Sequence, residues 1–502
     1  MSSSAVAAPP GRRADTSRRR RLFTGLALGT FVAALDQTVV ATALPRITGE
    51  LGGLSSYTWL ATAYLLTATA FTPLYGRLSD HVGRRAPYLV ALGVFVAGSV
   101  AATAARTMGE LIGARAVQGL GAAGLLTLAV AVIGDELAPR ERARYQGLFG
   151  GIFALASVVG PPLGGVLTDT AGWRWVFALN IPLGVVTALV VAPVLPRVRA
   201  VHARVDYLGA ALLVGGISSL LLGAVWGGVE RPWGSATILG LLAAGAVLLL
   251  AFVVRERRFA TPILPVRLFQ DRSFAIACTA GFFVGACLFG AIYFVPLFLQ
   301  VAQHRSASAA GRSLLILTLA LVVGAGLSGR LISRTGRLRP FPIAGTAVLT
   351  VGFALLRGAD ATTGGLAIGL DLALIGLGVG LVMQVLVLAV QNTAPRESLG
   401  AATSAAGFYR SIGGTVGTAA LGALLANRMG SFGAATTAGG APGAVRLLDG
   451  TGLEAFVAGM RAVFLVATVL AAIAFALCLA LPRVPLRDGR MDEELDPQIT
   501  NS

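Results

Sequence analysis

The sequence predicts an all-α integral membrane protein: 14 transmembrane helices, arranged as two six-helix halves with two further helices inserted between them. Three observations carry this reading. Hydrophobic residues make up 55% of the 502 residues and charged residues only 13%, against about 25% charged in a typical soluble domain. Apolar runs of about 20 residues, the length that crosses a bilayer core about 30 Å thick, recur along the whole chain, and the mean hydropathy is +0.78. A loop motif near residue 80 returns in degraded form near residue 333. The composition excludes a water-soluble enzyme. The length excludes one ordinary packed domain, because a single hydrophobic core rarely grows past roughly 300 residues.

In chain order the runs fall at 22–44, 58–78, 87–105, 110–133, 144–168, 174–195, 206–226, 236–254, 273–300, 310–330, 341–357, 365–391, 399–425 and 461–481. The first follows Arg12, Arg13 and Arg18 to Arg21 and continues past Asp36 without a small-residue cleavage site. It therefore reads as a retained helix rather than a signal peptide. An even number of spans puts both termini on one side. Every one of the 40 basic residues is Arg; 28 fall on the side of the N-terminus, ten on the other, and Arg115 and Arg410 fall inside spans. An Arg excess marks the cytoplasmic side, so both termini are expected in the cytoplasm, below a multi-pass inner (cytoplasmic) membrane. The same asymmetry accounts for the net charge of +17 without a nucleic-acid partner.

The expected organisation is a cytoplasmic tail (1–21), an N-terminal half (22–195), a linker with the two inserted helices (196–272), a C-terminal half (273–481) and a second cytoplasmic tail (482–502). The longest outer loop, 427–459, is rich in Gly, Ala and Thr and reads as flexible. The final tail turns acidic at Asp492, Glu493, Glu494 and Asp496 and reads as disordered. No loop is long enough for a soluble catalytic domain, and no GxxxxGK[ST] phosphate loop is present, so neither an enzyme nor an ATP-driven pump is expected. Cys278, Cys287 and Cys478 sit in apolar runs without metal-ligand spacing, which makes them packing residues. His81, His202 and His304 are scattered. No metal and no cofactor is expected.

Gly76-Arg-Leu-Ser-Asp80-His-Val-Gly83-Arg84-Arg85 follows the second span, and Gly329-Arg-Leu-Ile-Ser333-Arg-Thr-Gly336-Arg337 follows the tenth. The copies occupy matching positions if spans 1–6 and 9–14 are repeats, with spans 7 and 8 inserted. Parallel repeats with a site near the midplane are a known way to build a secondary transporter.

Four motifs in order resemble the major facilitator superfamily, and within it the 14-span drug:proton antiporters of the multidrug efflux type. The 76–85 loop is similar to the superfamily's signature G-x-L-[AS]-D-x-x-G-R-[RK]. Arg115-Ala-Val-Gln118-Gly119-Leu-Gly121-Ala resembles R-x-x-Q-G-x-G-A, and Gly160-Pro161-Pro-Leu-Gly164-Gly165 resembles the antiporter motif G-P-x-x-G-G. Leu35-Asp36-Gln-Thr38-Val-Val-Ala41-Thr-Ala43-Leu-Pro45 is similar to the first-helix box of the 14-span group, with Ala41 where that box has Asn. Gly172-Trp-Arg174-Trp-Val-Phe177-Ala-Leu-Asn180-Ile-Pro182-Leu-Gly184 also looks like that group. The resemblance implies a major facilitator fold and outward export of amphipathic small molecules by alternating access, driven by a proton gradient and associated with antibiotic resistance. An exporter of one specific lipid or natural product on the same scaffold is the alternative. Protons, the substrate and the bilayer are the expected partners, and the protein is expected to work as a monomer.

Asp36 is the one carboxylate deep in a well-defined span, where a charge costs at least roughly 2.5–3.5 kcal/mol. It lies about 12 Å before the end of its span, and Arg115 lies about 8 Å into the fourth, which runs the opposite way. Their depths are comparable, and Gln118 shares a helical face with Arg115. Asp36, Arg115 and Gln118 therefore form either a proton-coupling group or a static structural ion pair. Gly76 and Gly83 permit close approach and a turn. Asp80, with Arg84 and Arg85, is placed to hold an inner gate. Gly160, Pro161, Gly164 and Gly165 make a bent, closely packed helix. Tyr64, Phe149, Phe153, Phe289, Tyr293, Met383, Gln384, Tyr409 and Arg410 are candidates for lining a substrate cavity, with ordinary helix packing as the alternative for each. Asp36 is the acid best placed to meet a cationic substrate.

Overall fold

The computed structural model describes residues 10–52, 57–136, 139–195, 206–227, 231–257, 266–393, 399–438 and 451–482. The N-terminal half comprises α1 (Pro10–Leu51), α2 (Tyr57–Val82), α3 (Arg85–Ala104), α4 (Met108–Glu136), α5 (Pro139–Thr170), α6 (Arg174–Ala178) and α7 (Asn180–Val191). Two helices follow, α8 (Tyr207–Trp226) and α9 (Ala236–Glu256), and a short 3-10 turn, Val266–Gln270. The C-terminal half comprises α10 (Arg272–Val301), α11 (Ala307–Thr335), α12 (Pro340–Leu356), α13 (Gly365–Thr393), α14 (Leu399–Ala438) and α15 (Thr451–Leu479). Among the described residues ten helices are long and apolar enough to cross a membrane, and Leu208–Ala224 and Pro340–Leu356 are shorter apolar helices.

Three departures from the sequence reading have local causes. The sixth span is two helices, because Pro182 has no N–H to donate back to Ala178; Leu179 between them keeps helical angles (φ −55°, ψ −34°), so the pair continues as one rod. Helix α1 already starts at Pro10, inside the expected tail, where Arg19 donates to the Glu136 carbonyl oxygen at 3.2 Å. Helix α14 continues to Ala438 and α15 begins at Thr451, so both enter the stretch expected as the 427–459 loop. Residues 439–450 of that loop and 483–502 of the tail lie outside the described residues.

The internal repeat is visible in the backbone. Gly83 (φ +85°) and Gly336 (φ +65°) both take the left-handed conformation that ends a helix and that side chains disfavour. They are the same motif position in the two copies. The Gly336 amide donates to the Ile332 carbonyl oxygen at 2.8 Å to close α11.

In a bilayer, helices associate through close packing of small residues rather than through the hydrophobic effect, and the glycines map those contacts. Gly160 and Gly164 of α5 press on Thr38 and Val39 of α1, and Thr38 Oγ1 donates to the Ala156 carbonyl oxygen at 3.2 Å. Gly119 of α4 meets Tyr64 and Thr67 of α2, and Gly121 meets Phe95 of α3. In the other half, Gly413 and Gly414 of α14 abut Phe282 and Phe289 of α10. Large apolar side chains such as Val247 and Leu250 of α9 stay on the outside, 64% and 66% exposed, facing the lipid position.

Named contacts between the halves cluster at the end of the bundle where α1 terminates, here the distal end. Gln300 Nε2 donates to the Thr42 carbonyl oxygen at 3.0 Å. The Tyr57 hydroxyl donates to the carbonyl oxygen of Tyr293. Gly165 of α5 touches Ala307, and Gly311 of α11 touches Pro161. Asp169, at the end of α5, accepts from the Ala307 and Ser308 amides at 3.3 and 2.8 Å, so a carboxylate of one half caps the positive helix terminus of the other. The α8–α9 pair lies along this seam. Leu213, Ile217, Leu221 and Phe252 form one cluster with Phe408 of α14, against which Leu66 of α2 packs, and Trp59 of α2 meets Trp226 of α8 at 6.5 Å.

A side chain at Gly164 would be driven onto the α1 backbone, whereas a methyl group at Gly93 would have nothing within 4 Å. Gly164→Val should therefore cost about 1–3 kcal/mol of overpacking and lower the thermal unfolding midpoint of the purified protein. Gly93→Ala should leave that midpoint unchanged.

Candidate functional site

Asp36 of α1 is wholly enclosed, and three donors converge on it. Arg115 Nη1 donates to Oδ2 at 2.6 Å, Asn180 Nδ2 to Oδ1 at 2.6 Å, and Gln118 Nε2 to Oδ1 at 3.3 Å. Arg115, Gln118 and Asn180 are as fully buried as the carboxylate. Gln118 also accepts from Arg115 Nη1 at 3.0 Å and donates to Ser99 Oγ at 2.8 Å, and Ser99 Oγ passes the chain on to the Phe95 carbonyl oxygen at 2.9 Å. Arg115 Nε donates to the Leu60 carbonyl oxygen at 3.3 Å. The guanidinium lies 4.2 Å over the Tyr64 ring and 5.8 Å from the Phe177 ring, a cation–π arrangement that strengthens as water is excluded. Tyr64 is fixed by its hydroxyl, which donates to the Ala33 carbonyl oxygen at 3.1 Å.

Elements α1, α2, α3, α4 and α7 each supply one part of this cluster, and the local sequence explains how. Gly98 of α3 has no side chain where α4 passes at Gln118, so Ser99 comes within reach of the amide. The helix junction before Asn180 and Pro182 aims Asn180 at Asp36. Arg115 Nη2, Asn180 Oδ1 and the hydroxyl of Tyr293 on α10 have no hydrogen-bond partner among the described residues. The network is thus charge-balanced but not saturated, which leaves it room to exchange partners.

The structure brings Asp36, Arg115 and Gln118 together as their depths along the helices suggest. Asn180 and Ser99 are not singled out by residue type alone; the available signal is a polar residue in an apolar span beside Pro182, and a Gly-Ser pair in α3. Expected as the acid best placed to meet a cationic substrate, Asp36 here carries three donors on its carboxylate and has no exposure. Ala41 is likewise fully buried.

The gate residues fall into two places. Gly160, Pro161, Gly164 and Gly165 line α5 between α1 and α11. Gly76 and Gly83 bound the end of α2, where Arg84 Nη1 donates to Ser79 Oγ and Arg85 opens α3. The side chain of Asp80 lies outside the described residues.

The cavity-lining candidates separate. Met383 and Arg410 line a small half-open cleft between α10, α13 and α14. Phe289 and Tyr293 stack on α10 with ring centroids 6.3 Å apart. Phe149 and Phe153 pack into core clusters, and Tyr409 packs on Phe269 at 5.3 Å and against the inserted helices. These three fill volume that the glycine-rich helices leave, so packing governs them here. Gln384 is exposed on α13, one residue round from Met383. A further ion pair was not foreseen: the half-buried Arg255 Nε reaches the buried Asp206 Oδ1 at 2.7 Å and joins α9 to the start of α8.

Comparison with known proteins follows the same lines. The family model described as Major Facilitator Superfamily matches residues 26–418. The chain is 41% identical over 417 residues to the multidrug transporter protein MdtP of Bacillus subtilis, covering 83% of this chain and 77% of that one. It is 34% identical over 413 residues to the efflux pump dotC of Dothistroma septosporum, covering 81% and 70%. In fold it resembles a bacterial homologue of the human lysosomal transporter Spinster, crystallised inward-facing and unoccupied, with TM-score 0.65 over 95% of this chain and 98% of that one at 16% identity.

The hydrogen bonds rank the cluster's members. Asn180→Ala removes a short bond to a charged acceptor and should cost about 1.5–3 kcal/mol, whereas Ser99→Ala removes a neutral bond and should cost about 0.5–1.5 kcal/mol. Thermal unfolding of the two purified variants beside the parent protein measures both.

Proposed function

The chain belongs to the Major Facilitator Superfamily, and from that premise we propose that it is a proton-coupled secondary exporter of amphipathic small molecules. Membership makes it a multi-pass membrane transporter of small molecules rather than an enzyme. The finer reading has three parts: fourteen spans, the two halves as rocking bodies, and the proximal end, where α1 begins, as the cytoplasmic face. The arginine asymmetry supports that orientation. The names of relatives, a multidrug transporter and an efflux pump, support export of drug-like molecules.

The observation that carries proton coupling is the buried Asp36 held by Arg115, Gln118 and Asn180. A proton arriving on Asp36 cancels the countercharge of Arg115. Gln118 Oε1 and the Leu60 carbonyl oxygen then remain as acceptors, with the Tyr64 ring face below, so the guanidinium keeps partners while its tie to α1 weakens. Tyr293, on the opposite half and within electrostatic reach of both Asp36 and Arg115, has an unpaired hydroxyl to offer the rearranged network. Its backbone carbonyl oxygen is also the acceptor for Tyr57 at the distal closure. One residue of the second half thus faces both the proton site and the distal closure of the first. Loading and unloading Asp36 then biases whether the distal closure, with the Asp169 cap on α11, stays shut or opens. In the conformation described here the distal contacts are closed.

Asp36→Asn holds this site in its uncharged form. In proteoliposomes such a variant should exchange substrate across the membrane yet fail to concentrate it, while the parent protein accumulates substrate until an uncoupler collapses the gradient. Uphill accumulation by Asp36→Asn with an unchanged pH profile contradicts the assignment, and uncoupler-resistant accumulation contradicts proton drive.

A further inference from the structure

The C-terminal half holds a second buried-side cation, and its surroundings differ from those of Arg115 in the feature that matters. Arg410 sits on α14, where its backbone presses on Gly285 of α10. Gly285 lies 13 residues after Arg272 and 16 before Val301, about 20 and 24 Å along the helix axis, so Arg410 is at mid-depth of a membrane-crossing segment. Arg115 has a carboxylate at 2.6 Å, whereas Arg410 has no ion pair and no hydrogen bond among the described residues. A cation at that depth is costly unless it is paired or faces a polar space.

Arg410 lies at the edge of an open cleft. It borders the small half-open cleft between α10, α13 and α14, together with Ala277, Gly281, Val284, Met383 and Leu386. Those neighbours are small or flexible and apolar. Gly281 and Ala277 keep one wall low, and Met383 offers an adaptable, polarisable surface. The cleft thus presents one positive charge inside an apolar lining.

Neither Asp36 nor Asp371 competes for that charge. Asp36 is committed to three donors in the other half. Asp371, on the same helix as Met383, lies 12 residues away, about 18 Å along the axis, beyond the reach of Arg410. Of these two acids, one is therefore spent and the other distant.

We propose that Arg410 is the anchor for the anionic head of an amphipathic ligand whose apolar body lies along the Met383–Ala277 cleft. The molecules handled are then amphipathic anions, carboxylates or sulfonates, in preference to cations of the same shape. This rests on the export reading above and narrows its substrate class. A membrane phospholipid can present the same anionic head beside an apolar body, so the test separates the two sources.

The experiment uses the full-length protein in nanodiscs of zwitterionic lipid and two matched fluorescent probes, pyrenebutyrate and a pyrenebutyl-trimethylammonium salt. The parent protein should bind the anion at least tenfold more tightly than the cation. Arg410→Gln should weaken anion binding tenfold or more and leave cation binding unchanged, which also reports that the variant is folded. Arg410→Lys, keeping a point charge without the guanidinium fork, should fall between. Repeating the titration in nanodiscs containing anionic phospholipid assigns the source: competition with the probe that disappears in Arg410→Gln makes the anion lipid-borne, and no competition makes it a soluble substrate. Equal affinities for the two probes, or an Arg410→Gln variant with unchanged anion affinity, overturns the proposal. Proton-driven accumulation is measured on the same preparation. Intact accumulation without Arg410-dependent anion preference overturns this inference alone, and Arg410-dependent binding without proton drive overturns the export reading alone.

Discussion

The arrangement of the first half depends on one buried ion pair. Asp36 and Arg115, both with side chains at 0% exposure and 2.6 Å apart, are a charge pair in a place where either alone is costly. Removing one partner of such a pair typically costs about 3–5 kcal/mol, because the other is left buried and uncompensated. The pair therefore dictates how close α1 and α4 must lie, and Gln118, Asn180 and Ser99 fix α7 and α3 to the same point. The glycines at 98, 119 and 121 are the steric counterpart of that demand. Without them the backbones stand too far apart for these short bonds.

The same economy of small residues governs the join between halves. Gly160 and Gly164 hold α5 to α1 on one face, and Pro161 and Gly165 hold it to α11 on the other, so α5 is shared between the static packing of its own half and the distal seam. The hydrogen bonds that cross the seam run between side chains and main chain: Gln300 on Thr42, Tyr57 on Tyr293, Asp169 on the start of α11. The inserted α8–α9 pair covers the flank where α2 meets α14, with its own ion pair between Asp206 and Arg255.

Much of this was legible from the residues, and the gaps have physical reasons. Hydropathy located nearly every helix because a membrane demands continuous apolar length. It misjudged the ends of α1 and α14, since helix can extend past the apolar stretch where other helices or water meet the backbone. The depth of Asp36 and Arg115 was legible because both lie on regular helices with a fixed rise. Asn180 was not singled out although its motif was, because only the junction at Leu179 and Pro182 decides which way it points. Whether an aromatic fills a core or lines a cavity depends on which face its neighbours occupy, and a chain apolar on every face gives no periodicity to read. Phe153 and Tyr409 differ from Met383 in that respect alone. The paired glycines of the repeat were legible as a pattern, and their shared left-handed backbone gives the pattern its cause.

The central claim is that Asp36 changes protonation while the helices around it stay assembled. Infrared difference spectroscopy of the protein in zwitterionic nanodiscs, between mildly alkaline and mildly acidic conditions, reads this directly. The account predicts a protonated-carboxyl C=O band that appears on acidification and is missing in Asp36→Asn. A band of undiminished size in Asp36→Asn would contradict the account and place the proton on another group.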